Sequence, residues 1–128
     1  MARYGTVQSE SVLAPQIKIT VTHPADPKRT FELTAIADTG AAKTCLPTSA
    51  LDDLGEEGLE YRMSAARGAY GRRRKIKCYM LRISFLECAY TLEVGVIDRK
   101  YAIIGRDILN QHRITFETDE KWTFHANA

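Results

Sequence analysis

The sequence predicts an all-β chain closed into one barrel or sandwich, and three observations point there. Short runs alternate apolar and polar side chains along most of the chain. Turn-forming residues separate those runs at regular intervals, and helical spacing is confined to brief spans. A length of 128 residues suits one domain, and 45% apolar with 27% charged residues excludes a disordered tail or a disulfide miniprotein. Such a chain can bury a core of its own, yet it is short for an enzyme that must build both sides of a catalytic cleft.

Each element has its own warrant. Residues 1–15 are polar and carry Pro15, an N-terminal segment expected to be partly loose ahead of a single domain over 16–128. Gln16 to His23 alternates, with Ile17, Ile19 and Val21 on one face. His23 to Lys28 holds two prolines and predicts a turn, and Phe31 to Ala37 predicts the returning strand. Thr44 to Pro47 is apolar again, and Thr48 is placed to cap a short helix through Leu51 and Leu54 that ends at Gly55. Leu59 to Met63 is strand-like, followed by a turn around Arg67 to Gly71. Ile76, Cys78 and Met80 alternate, then Leu81, Ile83 and Phe85 do, and the slip of phase between them predicts a bulge or bend. Leu92, Val94 and Val96 predict a further strand, and Ala102 to Ile104 a short buried one ending at Gly105. Arg106 to His112 fits two helical turns. Ile114 and Phe116, then Trp122 and Phe124, predict a last hairpin around Thr118 to Lys121.

The net charge of +2 hides a contrast. Residues 52–60 hold five acids and no base, whereas residues 61–77 hold seven bases and no acid. Cys45, Cys78 and Cys88 have neither the number nor the spacing of a disulfide framework or a zinc site, and are expected in the core or on strands. His23, His112 and His125 lack metal-ligand spacing and are expected in turns or at the surface. No metal or organic cofactor is implied. No signal-peptide run or membrane-length apolar stretch occurs, so a soluble, cytoplasmic or otherwise intracellular protein with no membrane partner is the expectation.

Asp38 is the residue that stands out. It leaves the apolar-rich strand Thr34 to Ala37 and precedes Thr39 and Gly40, so a carboxylate emerges where a strand breaks into a tight loop. Gly40 permits a sharp turn and a close backbone approach, and Thr39 can brace the loop. Taken alone, these three residues would be an ordinary β-turn.

The wider run Ile36-Ala37-Asp38-Thr39-Gly40-Ala41-Ala42-Lys43-Thr44-Cys45-Leu46-Pro47 resembles the active-site loop of retropepsins, the retroviral-type aspartic proteases. Ile103-Ile104-Gly105-Arg106-Asp107 resembles that family's second landmark, late in the chain. Between them, the glycine-bearing Arg67-Gly68-Ala69-Tyr70-Gly71 stands where the family has a flap tip, the flap spanning about 61–78. The resemblance covers about residues 16–125. It implies a retropepsin-like closed β-barrel or sandwich with one short C-terminal helix, assembling as a two-fold dimer. The implied activity is an aspartic endopeptidase. Hydrolysis of a peptide bond by water needs a base and an acid, and two adjacent carboxylates that share one proton supply both. One Asp-Thr-Gly per chain then means that each subunit of a homodimer contributes its Asp38.

Residue by residue, the resemblance makes Asp38 catalytic. Thr39 and Gly40 brace the dyad and contact substrate, Ala41 completes the loop, and Gly105 with Arg106 supports it from below. Arg67, Gly68, Ala69, Tyr70 and Gly71 would close over the peptide. Trp122 and Phe124 are expected in the core or at a dimer interface, and because the termini of the family interleave across the dimer, the resemblance favours the interface for them and allows it for residues 1–15. Two departures stand out. Ala42 occupies the position of the acid that usually pairs with the family arginine, so Arg106 must find another carboxylate or carbonyl groups. The strongly basic run Arg72 to Lys75 exceeds what a flap needs. Its plainest reading is a solvated face; recruitment of an acidic substrate is the sharper one, and the lack of aromatic interleaving disfavours nucleic acid. The implied partners are a second copy of the chain and a peptide or protein substrate. The rival from another class is a catalytically silent dimeric module that kept the fold.

Overall fold

A computed structural model describes residues 2–4, 6–9, 12–67, 73–116 and 122–125 of the chain. Eleven strands among these residues form two sheets. In chain order they are β1 (Ala2–Tyr4), β2 (Thr6–Ser9), β3 (Val12–His23), β4 (Asp26–Ala37), β5 (Cys45–Pro47), β6 (Tyr61–Arg67), β7 (Arg73–Phe85), β8 (Cys88–Ile97), β9 (Ala102–Ile104), β10 (Arg113–Phe116) and β11 (Trp122–His125). Two short helices interrupt them, α1 (Thr48–Leu54) and α2 (Arg106–Leu109).

The larger sheet runs β2-β3-β4-β9-β5-β8-β7-β6, and β3 also pairs with β7. That extra pairing, Thr20 to Ser84 through Thr22 to Arg82, closes six strands into a barrel and leaves β2 and β6 as extensions. Closure removes the edges that β3 and β7 would otherwise expose. Ile19 and Val21 on β3, Leu81 and Ile83 on β7, Val94 on β8 and Ile104 on β9 fill the interior and are fully buried. The smaller sheet, β1-β11-β10, brings the two ends of the chain together, with Arg3 opposite Thr123.

Several expectations are sharpened or corrected. The fold is all-β and closed, as the alternation predicts, but α1 joins the C-terminal helix as a second short helix. The first hairpin turns over Pro24 and Ala25 alone. The β3–β4 register shifts beside His23, and Pro27 falls in that irregularity, where its missing N–H costs no ladder bond. No bulge breaks β7. Its register to β8 is continuous from Cys78–Gly95 to Phe85–Cys88, and the buried row is Tyr79, Leu81, Ile83 and Phe85. Cys78 is buried on the opposite face and Met80 is half exposed, so the apparent slip of phase came from apolar residues on both faces. Thr48 does not cap α1; its hydroxyl donates to the Ile97 carbonyl, and Pro47 holds the cap position. Gly55 ends that helix with φ +82°, as expected of a glycine there. The second helix is a single turn, since after Leu109 the chain tightens through Gln111 to Ile108 and His112 to Leu109 bonds.

Two further corrections concern aromatic and imidazole groups. Phe124 is core, not surface available to a partner: it is fully buried, 5.0 Å from the Phe85 ring and 4.4 Å from the His112 ring. The structure describes only the backbone of Trp122. His23 stands at the turn, one of the two places expected of it, but it is buried there rather than at the surface. Its Nδ1 accepts from the Ala25 amide, so Nε2 donates to the Glu57 carbonyl at 3.1 Å. Arg29 donates to the Leu54, Gly55 and Glu57 carbonyls beside it, and together they pin the acidic 52–60 segment to the first hairpin.

Candidate active site

Asp38 is the first residue beyond β4, and β9 fixes where it emerges. Parallel pairing of Ala37 with Ile104 continues one residue further, with the Asp38 amide donating to the Ile104 carbonyl at 3.0 Å. The chain then reverses. The Gly40 amide donates to Asp38 Oδ1 at 2.8 Å and the Ala41 amide to the Asp38 carbonyl at 3.1 Å. A Cβ on residue 40 would lie 3.1 Å from Oδ1, so glycine lets the amide close on the carboxylate. Asp38 is half-buried and Thr39 and Gly40 are exposed, which leaves the carboxylate at the rim. Among the described residues nothing else bonds it.

The loop is held from below by α2. The amides of Arg106 and Asp107 donate to the Ala41 and Ala42 carbonyls at 2.8 and 3.3 Å. Arg106 finds its partner in the loop itself, donating from Nη1 to the Thr39 carbonyl at 2.9 Å, in place of an acid at Ala42. Gly105 is packed hard against Lys43, where a Cβ would meet the Lys43 carbonyl carbon at 2.6 Å. The six loop and support residues singled out by sequence, Asp38 to Ala41 with Gly105 and Arg106, therefore form one connected unit. Arg67 ends β6 with its backbone opposite Arg73, remote in sequence from that unit. Gly68, Ala69, Tyr70 and Gly71 lie outside the described residues.

Sequence reasoning missed the deepest fastening. Thr44, fully buried, donates from Oγ1 to Asp107 Oδ1 at 2.7 Å and from its amide to Oδ2 at 2.9 Å. The same hydroxyl accepts from the Gly105 amide at 3.1 Å, and Asp107 Oδ1 also accepts from the Ile108 amide. One carboxylate and one hydroxyl thus satisfy several polar groups where the two motifs meet. A threonine and an aspartate 63 residues apart give no local sign of this; only the place of each within one of the two motifs hints at it.

A second polar cluster lies beyond Lys43. Its ammonium donates to Glu93 Oε1 at 2.7 Å and reaches Ser64 Oγ at 3.5 Å and Cys78 Sγ at 3.7 Å. Arg62 completes the cluster, donating from Nε to Glu93 Oε2 and from Nη2 to Oε1. Bonds from Arg62 and then Lys43 hold the Glu93 carboxyl down to about 2. Nearby, burial and then Cys78 push the Cys45 thiol up to about 11, which marks it as an inert core thiol. A cleft of about 490 Å³ beside this cluster is lined by Lys43, Glu93, Asp107 and Gln111, whose polar groups already bond one another or the loop. Among the described residues no group of acids, cysteines and histidines could hold a metal ion, and no helix is long and apolar enough to cross a membrane.

No family model matches the chain, and no curated protein sequence does. Solved structures do match. One is the EIAV protease complexed with the inhibitor HBY-793, with a TM-score of 0.60 and 21% identity, covering 81% of this chain and 92% of that one. The likeness is one of fold.

Proposed function

We propose that the chain is a retropepsin-like aspartic endopeptidase, active as a homodimer in which each subunit contributes Asp38. The observation that supports this best is the Asp38 carboxylate at the rim of a backbone-fastened loop, on a barrel with the fold of a viral protease. Two such carboxylates brought together share one proton. One activates a water while the other protonates the scissile carbonyl oxygen. Thr39 and Gly40 brace the pair and receive substrate backbone; Ala41, Gly105 and Arg106 hold the loop. The β6–β7 hairpin is the flap, which closes over the peptide and excludes water. Residues 16–128 form the catalytic domain, and the ends of the chain contribute to the dimer. The protein works in a soluble intracellular setting, without a metal or cofactor.

The test is cleavage of an unbiased peptide library by the wild type and by Asp38→Asn, with sedimentation over the same concentration series. The expected result is cleavage that appears with the dimer and falls at least about a thousandfold in the variant, the scale of losing the acid–base group. Equal inertness of both proteins at every pH and concentration would leave the silent module instead. Full activity from a stable monomer would break the mechanism.

A further inference from the structure

Lys43 belongs to two systems at once. Its backbone is pressed against Gly105, so its place is set by the Asp38 loop and α2. Its side chain leaves that unit for the barrel wall, donating to Glu93 on β8 and reaching Ser64 on β6 and Cys78 on β7. Glu93 meets Arg62, near the start of β6, with its other oxygen and shares the first between the two cations. Arg62 opens the hairpin, and from Tyr61 to Leu86 the chain has no acid. Within this cluster Glu93 is the one carboxylate facing two cations that would otherwise repel each other.

Exposure decides what the arrangement is for. The Arg62 side chain is 69% exposed, so its ion pair adds little to global stability. Its geometry is nonetheless specific, with two guanidinium nitrogens on one carboxylate. We infer that Glu93 is a positioning residue that ties the Asp38 loop to the β6–β7 hairpin, through Lys43 on one side and Arg62 on the other. Seating of the hairpin and placement of the loop then respond together. The kinetic consequence rests on the protease reading; the mechanical one does not.

Lys43 and Arg62 act through Glu93, so a double-mutant cycle isolates the tie. Lys43→Met, Arg62→Gln and the double variant are compared by amide hydrogen exchange over residues 61–67 and 73–79, without substrate. Each single change is expected to raise exchange there about tenfold, and the double change by no more than either alone. Lys43→Met leaving the hairpin unchanged, or the two effects multiplying to about a hundredfold, overturns the inference. In cleavage assays Glu93→Gln is expected to raise KM about tenfold with kcat within about twofold, and Glu93→Asp to recover most of it. A change in melting temperature with KM untouched would mean a merely structural role and would also overturn it. If the wild type cleaves nothing, the protease reading fails while the exchange cycle still decides the coupling.

Discussion

The Asp38 loop and the β6–β7 hairpin lie on either side of Lys43 and are held by different forces. The loop is fastened by backbone amides and by the buried Thr44–Asp107 pair, with the Gly105 backbone packed against it. The root of the hairpin is fastened by ions at the surface, Arg62 and Lys43 on Glu93, with Lys77 over the Tyr61 ring at 4.6 Å. Bonds among backbone amides, the buried Thr44 hydroxyl and the Asp107 carboxylate are short-ranged and costly to break, which holds the Asp38 loop in one place. Surface ion pairs can shift without leaving a buried group unpaired, which, if the hairpin is the flap proposed above, suits an element that moves over a substrate. Amide and hydroxyl bonds thus fix the Asp38 loop, whereas screened ion pairs leave the root of the hairpin adjustable.

The sharpest way to break this comparison is Gly105→Ala. The added methyl would sit 2.6 to 2.9 Å from the Lys43 backbone, and backbone cannot swing aside. A loss of about 3 kcal/mol or more is expected, or failure to fold, read by urea unfolding. Near-neutral behaviour would mean the loop is not locked. Thr44→Val comes next: it keeps the volume but removes the hydroxyl, leaving the Gly105 amide and one Asp107 contact unsatisfied in a buried place. About 2 kcal/mol of lost stability is expected, with exchange rising at residues 38–44 and not at 61–67. Equal rises in both segments would erase the distinction between the two regions.

What the sequence made legible follows the range of the interactions. Asp38 at a strand end, Gly40 in the turn and Gly105 before a helix are local patterns, and the barrel's alternation is local too. The Thr44–Asp107 clamp and the Glu93 cluster were not legible, because each joins ordinary residues far apart in the chain, from loop, helix and strands that meet only in the folded barrel. The strand β7 misled for a related reason. Strand alternation puts Ile76 and Cys78 on the opposite face from Leu81 and Ile83, and both faces find apolar neighbours there, Ile76 against Gly95 and Leu81 and Ile83 in the core. Nothing local in a terminal hairpin tells that Phe124 reaches the interior beside His112, and the interleaved termini of the resembling family point to an interface instead.

The smallest expected effect is the pH dependence of stability, in which buried neutral groups and the Glu93 ion pairs act with opposite sign. Burial raises Cys45 from 9.0 to about 11; burial, then the Glu56 bond, raises Tyr79 from 10.0 to about 12. Both groups fold in their neutral forms, so the stability they add is full below about pH 9 and is lost as pH climbs through 11 and 12. Glu93 runs the other way. Its carboxylate is favoured by Arg62 and then Lys43, so its share is full above about pH 4.5 and is lost as pH falls towards about 2. Urea midpoints followed across pH should therefore show a plateau with two limbs. Tyr79→Phe should flatten the upper part of the alkaline limb, and Glu93→Gln should flatten the acid limb while leaving the alkaline one in place. Because the Glu93 pairs are solvent-screened, the acid limb should also shrink as salt is raised, whereas the alkaline limb, set by burial, should not. An acid limb indifferent to both salt and Glu93→Gln would show that the hairpin root does not depend on these ions.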